Sequence, residues 1–241
     1  MSVDVAGVAT AVAALAERAR VTPREPWLFY KEGWDWRWRS WARVADQVMR
    51  GLMGLRRALP RLDDDEGGIG FDGRLDPDAV VAGLVAQAAG VVATPVTPGA
   101  AGLEEATARG CRAWLEVEGA RFIERGASDP QRIVLPPSLP ALDDTPRLPL
   151  ELEADGDSSL LLDDTRSGQA LAAHELMVAA RGLDGQIPSL EKQVIFCLAP
   201  DLAPGLTQRL QAWTLVRGAA WALEPDLEDF VRTVLWARPH V

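Results

Sequence analysis

The sequence predicts an α/β fold of two lobes, each a mostly parallel sheet flanked by helices, because strands and helices alternate along the chain. Short apolar runs alternate with helical patterns of about 10–15 residues, and glycine or proline separates most of them. A stretch rich in proline and acidic residues, at 136–149, reads as a linker. We therefore expect a first lobe over residues 1–145 and a second lobe over residues 146–241.

The first lobe is predicted to open with a helix and a hairpin. An alanine-rich apolar stretch at 5–15 follows Asp4, which is expected to cap the helix. Residues 27–31 and 34–38 are strand-like runs on either side of Gly33, and glycine supplies the positive φ that a tight turn needs. Three tryptophans share one face of the second run and are expected in the core: Trp34, Trp36 and Trp38.

The remaining elements follow from the same alternation. Ser40 is expected to cap a helix that runs towards Pro60. The first lobe then continues with a strand at 69–72, a helix at 76–89, a strand at 91–96, a helix at 102–109 and a strand at 113–117. The second lobe is predicted to contain strands at 158–162, 193–198 and 219–223, and helices at 170–181, 207–217 and 227–236.

Charge and composition exclude several classes of protein. The net charge of −10 argues against binding to nucleic acid or to an anionic membrane, since both need clustered positive charge. No apolar run approaches the ~20 residues of a membrane span, and the first residues lack the basic start of a signal peptide. We therefore expect a cytoplasmic protein. Cys111 and Cys197 occur without a CxxC pair, so we expect two buried thiols and no disulfide.

Motifs in a fixed order resemble a known family. Ser40 and Trp41 open a helix that contains Gly51 and Leu52, and residues 84–96 read LVAQAAGVVATPV. Further along, SSLLL at 158–162 precedes a polar turn, and His174-Glu175-Leu176 opens a helix. GAAWAL occupies 218–223, and the last four residues, 238–241, read RPHV and include His240. This order resembles the N-terminal region of the adenylate-forming superfamily, which includes acyl-CoA synthetases, luciferases and the adenylation domains of peptide synthetases. The resemblance covers roughly residues 20 to 241.

The resemblance implies a degenerate phosphate loop. The family places the motif TSGTTGxPKG after the strand, where glycine amides, hydroxyls and a lysine hold the ATP phosphates. Here residues 163–170 read DDTRSGQA, with a single glycine and no lysine. The remaining candidates for anion binding are Thr165, Arg166, Ser167 and Gly168. Asp163 and Asp164 would repel a polyphosphate; the alternatives are that they hold Mg²⁺ or that the segment is a solvated turn.

No catalytic residue, and no metal site, can be assigned from the resemblance. The family's adenine, acyl and ribose sites and its catalytic lysine belong to segments that have no counterpart here, so the chain looks truncated. His174 and His240 lie in different pieces without a nucleophile nearby, and His174 is expected simply to start a helix. We expect no cofactor, with ATP·Mg²⁺ as the alternative, and no activity from the chain alone.

Three functional hypotheses remain. The first is a non-catalytic protein that binds a protein partner or an acyl ligand. The second is one subunit of a split acyl-adenylating ligase of the acid–thiol type, and the third is a small-molecule sensor that uses the cleft between the lobes. The expected partners are a second copy, an acyl-carrier protein or a complementary ligase subunit. Because truncation would uncover apolar surface and tryptophan is enriched at interfaces, we predict contacts through Trp213, Trp221 and Trp236.

Overall fold

A computed structural model provides the structure of the protein. The residues that it describes are 8, 10–33, 35–58, 68–73, 76–90, 92–97, 99–116, 119–122, 132–133, 159–161, 170–183, 194–198 and 204–224.

Helices and strands alternate along the described residues. The helices are α1 (Ala11–Val21), α2 (Trp41–Ala58), α3 (Pro77–Ala88), α4 (Ala100–Ala108), α5 (Ala173–Gly182) and α6 (Pro204–Arg217). The strands of the first half are β1 (Pro26–Glu32), β2 (Asp35–Ser40), β3 (Gly68–Asp72), β4 (Ala93–Val96), β5 (Cys111–Glu116), β6 (Gly119–Phe122) and β7 (Arg132–Ile133). Those of the second half are β8 (Ser159–Leu161), β9 (Ala170–Ala172), β10 (Val194–Leu198) and β11 (Ala220–Glu224).

The strands form two sheets. The larger sheet has the order β7-β6-β5-β3-β4-β8-β9; its four central strands are parallel and its outer pairs are antiparallel. The smaller sheet has the order β10-β11-β1-β2, in which only the β1–β2 hairpin is antiparallel. The predicted α/β class, with parallel strands flanked by helices, is therefore confirmed.

The predicted lobes do not correspond to the two sheets. β8 pairs with β4 through Leu160 and Ala93, and β11 pairs with β1 through Trp221 and Leu28. Each sheet therefore combines strands from both sides of residue 145, and the boundary at that residue is wrong. The physical reason is that strands of the second half satisfy their backbone hydrogen bonds on the open edges of strands from the first half. The predicted linker at 136–149 lies outside the described residues.

One apolar core joins the two sheets. It contains side chains from both sheets together with five helices, namely α1, α2, α3, α5 and α6. Trp27 of β1 stacks on Trp41 of α2 with ring centroids 5.0 Å apart. Helix α4 covers the opposite face of the larger sheet, where Ala106 packs with Val96 and Trp114. The two faces of the central strands thus carry different sets of side chains, as a sheet covered on both sides requires.

Local capping explains where three of the helices begin. The hydroxyl of Thr10 accepts the N–H of Ala13 at 3.1 Å, so α1 starts at residue 11 and Asp4 is not its cap, contrary to our prediction. Ser40 caps α2 as predicted, because its hydroxyl accepts the N–H of Arg43 at 3.2 Å. The carboxylate of Asp76 accepts two N–H groups at the start of α3.

The tryptophan face of β2 is not a core face. Trp36 is half-buried and Trp38 is 52% exposed, while Trp34 lies outside the described residues. The reason lies at the end of the strand, where the guanidinium of Arg39 is buried and contacts the carboxylate of Asp78 on α3 at 2.6 Å. Since side chains alternate along a strand, the burial of Arg39 places the side chain of its neighbour Trp38 on the opposite, exposed face.

Candidate functional site

The predicted phosphate loop connects β8 to β9. These two strands are antiparallel, and Leu161 lies opposite Ala170, so both ends of the connection meet at one place. Because β8 runs parallel to β4, this place is at the carboxyl edge of the central strands, where open α/β sheets bind their ligands. The predicted anion-binding residues Thr165, Arg166, Ser167 and Gly168 lie outside the described residues, as do Asp163 and Asp164. Their role remains a prediction.

The segment after the loop begins as a strand and not as the predicted helix. Residues 170–172 form β9, and α5 starts at Ala173. Alanine and leucine favour helices, but pairing with β8 provides backbone hydrogen bonds that outweigh this weak preference. The carboxylate of Glu175 accepts the N–H of Ala172 at 2.9 Å and fixes the start of α5. His174 is exposed in this first turn, which is the helix-start position predicted for it.

A buried acid occupies the same edge of the larger sheet. Asp72 is the last residue of β3, lies opposite Val96 of β4 and is 1% exposed. The neighbouring N–H of Gly73 donates to the carbonyl of Val96 at 3.0 Å, which closes the end of the two strands. The sequence predicted a strand that includes Asp72 but gave this residue no functional role. An acid at the carboxyl end of an apolar strand is the signal that could have identified it.

A second acid orders the turn that follows β4. The carboxylate of Glu105 accepts the N–H of Thr97 at 2.7 Å and contacts the guanidinium of Arg109 at 2.5 Å. Burial acts to raise the pKa of Glu105, but the hydrogen bonds from Thr97 and the charge of Arg109 outweigh it and hold the pKa below its usual value. This carboxylate therefore remains charged and braces α4 against the edge of the sheet.

The cysteine prediction is confirmed for Cys111. Its side chain is buried under α4, and burial raises the pKa of the thiol, so it behaves as a small apolar group. The side chain of Cys197 lies outside the described part of the structure. Among the described residues, no group of three or more histidine, cysteine, aspartate or glutamate side chains could hold a metal ion. No helix within the described ranges has the length and apolar character needed to cross a membrane.

The predicted interface tryptophans need correction. Trp213 of α6 and Trp221 of β11 are both fully buried within this chain. The ring of Trp221 lies 6.5 Å from that of Trp27, inside the core that joins the two sheets. These two residues therefore stabilise the fold and have no surface left for a partner. Trp236 lies outside the described residues.

Comparison with known proteins identifies this architecture. No protein-family model matches the chain, and neither does any curated protein. Among solved structures, IdnL1 is 18% identical with a TM-score of 0.65, over 96% of this chain and 49% of its own. The N-terminal subdomain of NpsA from Klebsiella oxytoca is 16% identical with a TM-score of 0.60, over 95% of this chain and 58% of its own.

A third similar structure is the O-succinylbenzoate coenzyme A synthetase MenE from Bacillus subtilis, in complex with ATP and a magnesium ion. It is 11% identical with a TM-score of 0.63, over 95% of this chain and 62% of its own. The chain thus spans about half the length of the solved structures that it matches. Its fold is that of the N-terminal subdomains of adenylate-forming enzymes, such as peptide-synthetase adenylation domains and acyl-CoA synthetases.

Proposed function

We propose that the chain is a non-catalytic protein built on the adenylate-forming fold, which binds a protein partner or an acyl ligand and does not activate an acid with ATP. The observation that supports it is the composition of the connection between β8 and β9. In the family that the sequence resembles, this connection holds the ATP phosphates. Here residues 163–170 contain one glycine, no lysine and two aspartates.

The charge of this connection opposes ATP binding. A carboxylate held about 4 Å from a phosphate charge, at an effective dielectric constant near 20, is repelled by about 4 kcal/mol. Asp163 and Asp164 supply two such charges, while Arg166 supplies one compensating charge. Without a lysine and with a single glycine, the connection also offers fewer donors to the phosphates than the family motif does.

Thermal unfolding in the presence of ATP·Mg²⁺ tests the proposal. A ligand at a hundred times its Kd would stabilise the fold by about 2.7 kcal/mol, which is a readily measured shift. We expect no shift for this chain and a clear shift for MenE as the positive control. A shift that disappears in Arg166→Ala but persists in Arg209→Ala, an exposed arginine on α6, would overturn the proposal.

A second candidate is a subunit of a split acyl-adenylating ligase. What supports it is the fold, since the chain is similar over 95% of its residues to MenE, an O-succinylbenzoate coenzyme A synthetase, with a TM-score of 0.63. ATP–pyrophosphate exchange with a panel of acyl acids separates the two candidates, when it is measured with the chain alone and with the products of neighbouring genes. Exchange that requires both chains supports the split ligase, whereas no exchange in either case supports the non-catalytic protein.

A further inference from the structure

Strand β2 forms an open edge of the smaller sheet. Among the described residues it has a neighbouring strand, β1, on one side only. This edge carries Trp38, whose side chain is one of the few large apolar groups that are exposed in the described structure. Soluble proteins usually cover such an edge or protect it with charge, because an open strand is a template for pairing with another strand.

Along β2, the backbone N–H and C=O groups of successive residues point alternately to β1 and to the open side of the strand. Glu32 and Asp35 form the pair that closes the two-residue turn, and Tyr30 lies opposite Arg37. In a hairpin of this kind the closing pair is hydrogen-bonded, so the backbone groups of Asp35 and Arg37 point to β1. The backbone groups of the alternate positions, including Trp38, therefore point to the open side.

We propose that β2 pairs antiparallel with β2 of a second copy of the chain, around a two-fold axis at Trp36. This pairing would join the two smaller sheets into one continuous sheet and would cover the indole of Trp38. It places the dimer contact on the β1–β2 hairpin and not at the buried Trp213 and Trp221.

The charges on β2 select this register. In a two-fold antiparallel pair, one residue of the strand lies opposite itself. A centre at Asp35 or Arg37 places each of these side chains against its own copy, which brings like charges together. A centre at Trp38 places Arg37 against Arg39, which is buried and already paired with Asp78, so it offers Arg37 no opposite charge. A centre at Trp36 instead places Asp35 against Arg37 of the partner subunit, twice by symmetry.

The side chains concerned are accessible for this contact. Asp35 is 75% exposed and Arg37 is 55% exposed, and their charged atoms lie 3.6 Å apart within one chain. Glu32 lies 3.3 Å from Arg37 on the same face. The self-complementary pattern of acid and arginine argues for a second copy as the occupant, since each chain offers the same pair in the opposite order.

Charge reversal tests the proposal. By light scattering at micromolar concentration, the wild-type chain is expected to have twice the monomer mass of 26.1 kDa. Asp35→Arg and Arg37→Asp should each weaken self-association at least about tenfold, because each brings like charges together in both symmetric pairs. An equimolar mixture of the two variants should regain the dimer, since a strand with two arginines then faces a strand with two aspartates.

The regained dimer in the mixture cannot result from a change within one chain. Matched reversals on α1, Glu17→Arg and Arg20→Asp, alter another exposed ion pair and should leave the mass unchanged. Circular dichroism melting of every variant checks that the fold is kept. A monomeric wild-type chain, single reversals that dimerise as tightly as wild type, or a mixture that remains monomeric would each overturn the proposal.

Discussion

At the scale of single residues, the fold depends on polar atoms that find partners far away in the chain. The indole N–H of Trp27 donates to the hydroxyl of Thr214 at 3.1 Å, and neither residue is exposed. The same hydroxyl donates to the carbonyl of Gln211 at 2.8 Å. A buried donor without an acceptor is costly, so this hydrogen bond stabilises the packing of β1 against α6.

The first prediction concerns this pair. Thr214→Val keeps the shape of the side chain but leaves the indole N–H of Trp27 buried without an acceptor. We expect the free energy of unfolding in urea to fall by about 1–3 kcal/mol. Thr214→Ser retains the hydroxyl and should cost less.

A double-mutant cycle provides the control. In the background Trp27→Phe the buried donor is absent, so Thr214→Val should cost clearly less there than in the wild-type chain. The loss of the bond to Gln211 is the same in both backgrounds and cancels. An equal cost in the two backgrounds would show that the indole hydrogen bond does not stabilise the fold.

At the scale of elements, α3 approaches the larger sheet closely because it has a glycine on its inner face. A Cβ atom added to Gly83 would lie 2.8 Å from the ring of Phe71, which is itself 2% exposed. The ring is packed in the core, so moving it aside would disturb its neighbours. The helix–sheet distance is therefore set by the small size of this residue.

The second prediction follows from that contact. Gly83→Ala should lower the free energy of unfolding by about 1–3 kcal/mol through overpacking, although alanine favours a helix. The matched control is Gly182→Ala at the end of α5, where the added Cβ meets nothing within 4 Å and where stability should stay the same or rise. If Gly83→Ala and Gly182→Ala changed the free energy of unfolding in urea by the same amount, helix propensity and not packing would determine the effect of the substitution at residue 83.

Elements with a local signal could be predicted, and those that depend on distant partners could not. Ser40 and Asp76 mark helix starts because their side chains cap backbone N–H groups a few residues away, and the structure confirms both. By contrast, residues 170–172 form a strand only because β8 lies beside them, and the antiparallel β6 and β7 were not predicted at all.

The candidate site shows the same limit. The resemblance predicted the phosphate loop after a strand, and the structure places the ends of that loop at Leu161 and Ala170. The burial of Asp72 was not predicted, because it arises from the neighbouring strands and not from the sequence around the residue.

At the scale of the whole molecule, the two halves of the chain depend on each other. Each sheet combines strands from both halves, and Arg18 adds a further link between them. Its guanidinium on α1 donates to the carbonyl of Leu215 at 3.0 Å and also to that of Val216, at the end of α6. Burial lowers the pKa of Arg18, and these carbonyls offset part of the cost of burying its charge. Helix α1 therefore supplies hydrogen-bond donors to the last turn of α6, which belongs to the other half of the chain.

The third prediction is that the chain does not divide at residue 145. A fragment of residues 1–145 would lose β11, which pairs with one side of β1, and α6, which covers Trp27. A fragment of residues 146–241 would lose β4 and β1, on which its strands pair. We expect neither fragment to unfold cooperatively on heating, because each would leave open strand edges and an exposed apolar core. We also expect an equimolar mixture to regain a single cooperative transition, followed by circular dichroism. A cooperative transition of residues 1–145 alone, at the temperature of the intact chain, would instead restore the two-lobe organisation that the sequence predicted.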